Sequence, residues 1–345
     1  MMFDVPLDAL ALAALIGAAS AIICWFARPI ARRLHIMDIP DPVGGRKRHR
    51  LPTPLVGGLA IMLPAIVATV TLTNGGPSGA PLSLALVSAG FLLIGLIDDR
   101  SHIRPSYRLA ISWVLCWIAL YYTPSFQLSF LRFSFLPYTL FLDEWGILFT
   151  ALCLVGLQNA INMADGKNGL VTGQILIWLA FILFYAPGHL RPLLVVMMIG
   201  AAITMAFNLR GRLFLGDAGS YAISVMVGLL AIYVYNQNFT RLPADMPALW
   251  FLVPVLDCLR LMISRVVRAQ SPFTADRNHL HHLLAAVMPW KYGLIVYLGL
   301  VGMPGILGLA APELTLLWIV VATLGYAIIY TGLSRRIATR AAIFR

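Results

Sequence analysis

WGILFTALCLVGLQNAINMADGKNGLVTGQILIWLAFILFY, residues 145–185, places two strongly apolar runs on either side of a polar segment, Gln158–Leu170. Each run approaches the length that crosses a hydrocarbon core of roughly 30 Å, so the pair reads as two membrane helices and their connection. A connecting loop needs only a few charges for solubility. Here the polar residues begin before the first helix has to end, and Asn159, Asn162 and Asp165 recur every third residue. That spacing lines one drifting stripe of a helix face. Asn offers donors and acceptors together, as recognition of a base edge or a sugar hydroxyl requires. Gly166 and Gly169 then break the helix around Lys167 and Asn168. Polar packing between helices explains the asparagines alone, but not the acid and two glycines beside them.

The rest of the chain follows the same pattern. Of its 345 residues, 60% are hydrophobic and 11% charged, and the mean hydropathy is +0.85. Soluble domains sit near half apolar and about a quarter charged. The fold class is therefore an all-α polytopic integral membrane protein in a single domain, 1–345. About eleven transmembrane helices are expected, near 7–28, 55–73, 81–97, 108–123, 144–161, 169–186, 191–207, 218–235, 247–267, 292–310 and 314–333. Asp4 and Asp8 precede the first run where a basic segment would mark a cleavable signal peptide, so none is expected. Cys24, Cys116, Cys153 and Cys258 all fall inside spans, which predicts buried packing and neither a disulfide framework nor a zinc spacing.

Lys and Arg number 25 against 14 acids, a net charge of +11. Nucleic-acid binding would explain such a surplus, but its distribution excludes that reading. With the N-terminus outside, the inner loops and tail collect 21 of these residues, and the outer loops hold only Arg132, Arg191 and Arg241. This is the positive-inside asymmetry, so the C-terminus is placed in the cytoplasm. Residues 124–143, with alternating polar and aromatic side chains, predict a short β-hairpin outside.

The inner loops carry the unusual chemistry, which places a site on the cytoplasmic face. Asp98 and Asp99 end the third span. Adjacent carboxylates there oppose the helix dipole, and they read either as a solvated helix end beside Arg100 or as a divalent-metal or acid–base site. FLGDAGS puts Asp217 between Gly216 and Gly219, before the eighth span. Asp217 either caps that helix or ligates a metal beside a phosphate-receptive helix start. His279, His281 and His282 follow Arg277, with Arg265 and Arg268 upstream. This group suits an anionic substrate, with zinc as the alternative. Arg46, Lys47, Arg48, His49 and Arg50 precede the second span and read as topology or as a site for an anionic lipid headgroup. Asp257 and Arg260 stand mid-span at i, i+3 spacing, which an intramembrane ion pair explains. A transporter would hold its acids near the bilayer midplane, often within a repeat. Acids at the cytoplasmic ends, without a repeat, favour an enzyme that joins a soluble phosphate-rich substrate to a membrane-embedded one.

The paired aspartates, NxxNxxDGxxGL, FLGDAGS and HLHH, in this order, resemble the polyprenyl-phosphate N-acetylhexosamine-1-phosphate transferases of glycosyltransferase family 4. The resemblance runs from about Arg46 to His282 and is nearest to the WecA branch. It implies transfer of an N-acetylhexosamine 1-phosphate, most simply that of GlcNAc, from a UDP-sugar to undecaprenyl phosphate. UMP is released, and the product initiates a cell-surface polysaccharide at the bacterial cytoplasmic (inner) membrane. The MraY-like use of a phospho-MurNAc-pentapeptide is the alternative within the family. Mg²⁺, with Mn²⁺ as a substitute, and a homodimer are further implications. Asp217 becomes the metal ligand, and Asp98 or Asp99 assists the metal or deprotonates the lipid phosphate. Asn159, Asn162, Asp165, Gly166, Asn168 and Gly169 bind the nucleotide. His279, as a catalytic group, with His281, His282 and Arg265, handles the diphosphate and sugar, while Lys47 and His49 meet the lipid. Where the family pattern has a second aspartate, this chain has Asn168.

Overall fold

A computed structural model describes residues 7–40, 51–73, 79–271 and 278–343. Thirteen helices follow one another in these residues. They are α1 (Leu7–Trp25), α2 (Ala27–Leu34), α3 (Gly57–Leu72), α4 (Ala80–Ser101), α5 (Pro105–Tyr122), α6 (Gly146–Ala164) and α7 (Leu170–Tyr185). Next come α8 (Arg191–Leu209), α9 (Gly216–Asn238), α10 (Asp245–Val267), α11 (Leu280–Val287), α12 (Trp290–Ala310) and α13 (Thr315–Ile343). The chain is an all-α, multi-pass membrane protein. A helix stands at each expected span, but seven described helices are long and apolar enough to cross a membrane by themselves, or eight if α1 and α2 form one span.

Three boundaries differ from expectation for local reasons. The run 7–28 does not continue as one helix, because α1 and α2 meet at a 72° bend. Beyond the bend, Ala27 and Ala31 are buried while Arg28, Arg32 and Arg33 are exposed, so α2 is amphipathic where α1 is apolar. Helix α5 starts at Pro105, since proline's fixed φ suits a first helical turn. Helix α13 runs ten residues past its expected end at 333, carrying its polar Arg335 and Arg336 beyond the apolar run.

The core forms around α9, which is buried from Ala218 to Tyr235 between α3, α4, α6 and α7. Its interior place comes from packing on every side and not from apolarity, since α13 is as apolar and is mostly uncovered. Close approach depends on glycine. A Cβ on Gly58 would fall 2.3 Å from the Gly219 backbone, and one on Gly95 would fall 2.3 Å from Ala218 Cα. Small residues at such crossings let helix backbones pack directly, which drives association where lipid removes the hydrophobic difference. Pro254 in α10 leaves the Trp250 carbonyl without its helical donor, and the Trp178 indole of α7 donates to it at 2.7 Å.

Two small antiparallel ladders complete the fold. The expected hairpin is present, with β3 (Phe130–Arg132) pairing β4 (Thr139–Phe141) and Phe130 opposite Phe141. An unexpected pair, β1 (Met37–Asp38) with β2 (Thr53–Pro54), lies beside the site. Past β2 the backbone fastens the segment before α9. Phe214 N–H donates to Pro54 O, Gly57 N–H to Phe214 O and Gly58 N–H to Leu215 O, each at 2.9 Å. The cysteines are free, as expected, yet Cys153 is exposed on the outside of α6 rather than packed within.

Because Gly95 admits no Cβ against Ala218, Gly95→Val should push α4 from α9. A destabilisation of about 1–3 kcal/mol is expected from such overpacking. Thermal unfolding of the detergent-purified variant against a Gly90→Ala control, which faces only a leucine tip, measures this.

Candidate active site

The C-terminal ends of α4, α6, α8 and α10, the N-terminal ends of α5, α7 and α9, and α11 converge on one cavity of about 2100 Å³. Its lining includes Asp98, Asp99, Asn159, Asn162, Asp165 and Asp217, so the inner loops named from the sequence meet in space. Gly166, Asn168, Arg265, His279 and His282 line it too. Lys47, His49 and Arg277 lie outside the described residues.

Asp99 settles how α9 begins. The first N–H groups of a helix have no partner within it, and those of a buried helix cannot turn to water. Asp99 Oδ1 accepts the Asp217 N–H at 2.8 Å, and Oδ2 accepts the Ala218 N–H at 3.0 Å. The cap of α9 is therefore Asp99, supplied by α4, and Asp217 is left to line the cavity. Gly216, at φ +78°, makes the turn, and a Cβ there would lie 2.7 Å from Asp99 Oδ2. Asp98 is buried and also engaged. Its Oδ1 accepts the Ile103 N–H at 2.7 Å, and its Oδ2 accepts Arg108 Nη1 at 3.0 Å and the Tyr221 hydroxyl at 2.6 Å. Neither aspartate is a solvated helix end.

The 165–169 turn is held from three sides. Gly169 sits at φ +81°, and its N–H donates to Asn208 Oδ1, whose Nδ2 in turn donates to Leu213 O at 2.9 Å. Asn208 thus ties this turn to the segment before α9. Trp290 Nε1 donates to Asn168 O at 2.7 Å. Ser220 of α9 donates to Asn162 Oδ1 at 3.2 Å, while Asn159 Nδ2 donates to Val155 O of its own helix at 2.8 Å. Burial, together with the nearby charge of Asp217, raises the Asp165 carboxyl to about 7. Gly169 itself is buried and is not part of the cavity wall, so its part is to turn the backbone.

The histidines separate. His279 and His282 line the cavity, but His281 is fully buried away from it, against Gly166, where a Cβ would fall 2.5 Å from His281 Nε2. The expected substrate contact of His281 thus becomes a packing contact under the turn. Burial, with the charges of its two histidine neighbours, lowers the His281 pKa well below the usual histidine value. His279 Nδ1 donates to Asp257 Oδ2 at 3.0 Å. The expected ion pair of Asp257 with Arg260 is present at 2.9 Å, but Asp257 also reaches the cavity wall through His279, which the ion-pair reading alone did not include.

Sequence reasoning thus missed Asp257, Arg108, Tyr221, Asn208 and Trp290. Asp257 and Arg108 had a usable signal, a charge within or beside an apolar run. Tyr221, Asn208 and Trp290 gave none, because their roles depend on partners distant in the chain.

The pattern of "Glycosyl transferase family 4" matches residues 81–235. The chain is 28% identical over 337 residues to the undecaprenyl-phosphate alpha-N-acetylglucosaminyl 1-phosphate transferase of Yersinia pestis, covering 93% of this chain and 89% of that one. It is 30% identical over 274 residues to the protein of the same name from Escherichia coli O157:H7, covering 75% and 72%. A Bacillus subtilis (strain 168) protein, named a probable undecaprenyl-phosphate N-acetylglucosaminyl 1-phosphate transferase, is 27% identical over 265 residues, covering 75% and 73%.

A neutral, buried His281 makes stability depend on pH. Below about 6.5 the unfolded chain takes up a proton at this residue that the folded chain does not, so the folded state loses ground by up to about 1.4 kcal/mol per pH unit. As pH drops below 6.5 the unaltered protein should lose unfolding temperature relative to His281→Gln. That difference is free of Asp165, whose raised carboxyl favours the folded state as pH falls over the same range in both proteins. Thermal scans of both proteins between pH 5 and 7.5 give the comparison.

Proposed function

The chain belongs to glycosyl transferase family 4, and on that premise we propose that it transfers GlcNAc 1-phosphate from UDP-GlcNAc to undecaprenyl phosphate. The proposed setting is the inner face of the bacterial cytoplasmic membrane, with eleven crossings and the N-terminus outside. The observation that carries this reading is the make-up of the cavity of about 2100 Å³. Its lining combines Asp165, Asp217, Arg265, His279 and His282 with the apolar Leu109, Trp113, Leu152, Val155, Leu259 and Met262. A polar phosphate-bearing donor and a greasy acceptor can thus meet in one space. The relatives' names favour GlcNAc over a MurNAc-pentapeptide.

In the proposed step an oxygen of undecaprenyl phosphate attacks the β-phosphorus of the donor. The bond from that phosphorus to the bridging oxygen breaks, and UMP leaves with the bonding electrons. Phosphoryl transfer of this kind depends on positioning and on neutralising charge. Asn162 and Asn168 hold the nucleotide in this reading, while Arg265, His279 and His282 face the diphosphate and sugar.

Mg²⁺ fits the donor set. Asp165 and Asp217 both line the cavity and offer hard oxygen ligands, and the Asp217 charge opposes ionisation of Asp165, which a bound cation would relieve. When bound, the ion would draw charge from the phosphate oxygens. Asp98 and Asp99 play supporting parts. Asp99 fixes the α9 terminus that carries Asp217, and Asp98 fixes Arg108, which lines the cavity as a further cation for phosphate. Either could still meet the metal through its remaining lone pairs.

Purified protein with undecaprenyl phosphate, Mg²⁺ and a panel of UDP-sugars should release UMP with UDP-GlcNAc and not with UDP-MurNAc-pentapeptide. Comparable turnover of the pentapeptide donor would reverse the choice of substrate. Asp217→Asn should lower Mg²⁺-dependent release by about 100-fold or more, because an amide is a weak ligand for a hard cation. Turnover near that of the unaltered protein would remove Asp217 from the metal site.

The Asn168 position gives a separate expectation. Its main-chain carbonyl is already taken by Trp290, so its side chain is what the donor would meet. Asn168→Ala should raise KM about threefold to tenfold, the cost of one neutral hydrogen bond. Asn168→Asp should stay active, and a steep gain in kcat there would instead give this position an acidic role.

A further inference from the structure

We infer that Asp257 is a positioning residue, holding the His279 ring in one orientation and one tautomer at the cavity wall, with Arg260 and Tyr326 holding Asp257 in turn. This rests on the proposed contact between His279 and the donor, and it extends that contact into α10 and α13.

The geometry is specific. Asp257 Oδ2 accepts from His279 Nδ1 at 3.0 Å. Both carboxylate oxygens also accept the Leu280 N–H, at 3.2 and 3.3 Å, so Asp257 caps the start of α11 from outside, as Asp99 does for α9. Tyr326 of α13 donates to Oδ1 at 2.7 Å, and Arg260 Nη2 donates to the same oxygen at 2.9 Å. Arg260 is itself fixed. Its Nε donates to the Tyr326 hydroxyl at 2.8 Å, its Nη2 also donates to Asn278 O at 2.6 Å, and its guanidinium lies 3.9 Å from the Tyr330 ring centre. Residues 278–280 are therefore held at three successive positions.

A carboxylate bonded to one imidazole nitrogen decides which nitrogen carries the proton and which way the ring faces. With Nδ1 turned to Asp257, Nε2 is on the far side of a ring that lines the cavity. The arrangement is costly unless used. A buried carboxylate needs several donors to be tolerated, and Asp257 has four. An ion pair alone would not require the tyrosine, the helix start and the histidine together.

Asp257, His279 and His281 each bring a metal-type donor atom within 4.8 Å of the others. A metal there would have to displace the imidazole hydrogen bond and sit beside the Arg260 guanidinium on the same carboxylate. The occupied lone pairs favour positioning over ligation.

The test is a double-mutant cycle on full-length protein in detergent, reading UMP-release kinetics and thermal stability. His279→Ala, Asp257→Asn, Tyr326→Phe and the pairs with His279→Ala are compared. Asp257→Asn should lower kcat about 10- to 100-fold with KM for UDP-GlcNAc changed less than threefold. In the His279→Ala background the same substitution should change kcat less than twofold, because a residue acting through His279 has nothing left to act on. Tyr326→Phe should show the same pattern at about threefold, and it serves where Asp257→Asn does not fold. Multiplicative losses in the paired variants, or a kcat within twofold of normal in both single variants while His279→Ala is impaired, would overturn the inference. So would a stoichiometric transition metal lost from Asp257→Asn. Normal turnover by His279→Ala would overturn the donor contact beneath it, which the single variant reads separately.

Discussion

A helix that starts in the protein interior cannot leave its first peptide N–H groups unpaired. For α9 this demand is met by Asp99, a carboxylate from α4 that accepts the N–H groups of Asp217 and Ala218. Much else follows from that contact. It requires the end of α4 to reach the start of α9, which Gly95 permits by presenting no Cβ to Ala218. It sets the backbone of Asp217, so that the side chain faces the cavity instead of being spent as a cap. It also leaves Asp98, one residue earlier, pointing to Arg108 and Tyr221. Two neighbouring acids that look interchangeable in the sequence thus hold different parts of the site.

The same device recurs at α11, where Asp257 accepts the Leu280 N–H. In both places a helix start that carries candidate chemistry is fastened by an acid on a neighbouring helix. The acid supplies what water supplies at an exposed terminus, and it adds a fixed direction. Asn208 does a related job with an amide, bridging the 165–169 turn to the strand-like run before α9. Rigid helices therefore hold the loops of this site, and the loops need little structure of their own.

The fold was legible because lipid imposes length and apolarity on every crossing helix. Runs such as 145–157 and 171–185 announce themselves, and a helix stands at each. The cluster of Asp98, Asp165 and Asp217 was legible for the same reason, since acids at the ends of apolar runs stand out against so few charges. Tyr221 and Asn208 were not, because a tyrosine or an asparagine in a membrane helix has many ordinary uses and their partners lie far along the chain. His281 shows the opposite failure. It shares a motif with His279 and His282, yet α11 turns it under Gly166 and out of the cavity. Asp257 was set aside because Arg260 was an adequate partner at i, i+3. Sequence spacing could supply one neighbour, but not the tyrosine from α13 or the histidine beyond α10.

Tyr326 stands on α13, which leaves the ribosome after all the other described helices. Until that helix packs, Asp257 lacks the phenol that shares its Oδ1 with Arg260. The acids around α9 have by then long been synthesised. The order of translation therefore separates two halves of one site, with the acidic half made early and the histidine half locked by the last arrival. A chain cut before α13 would lack that phenol, leaving Asp257 to Arg260, His279 and the Leu280 N–H.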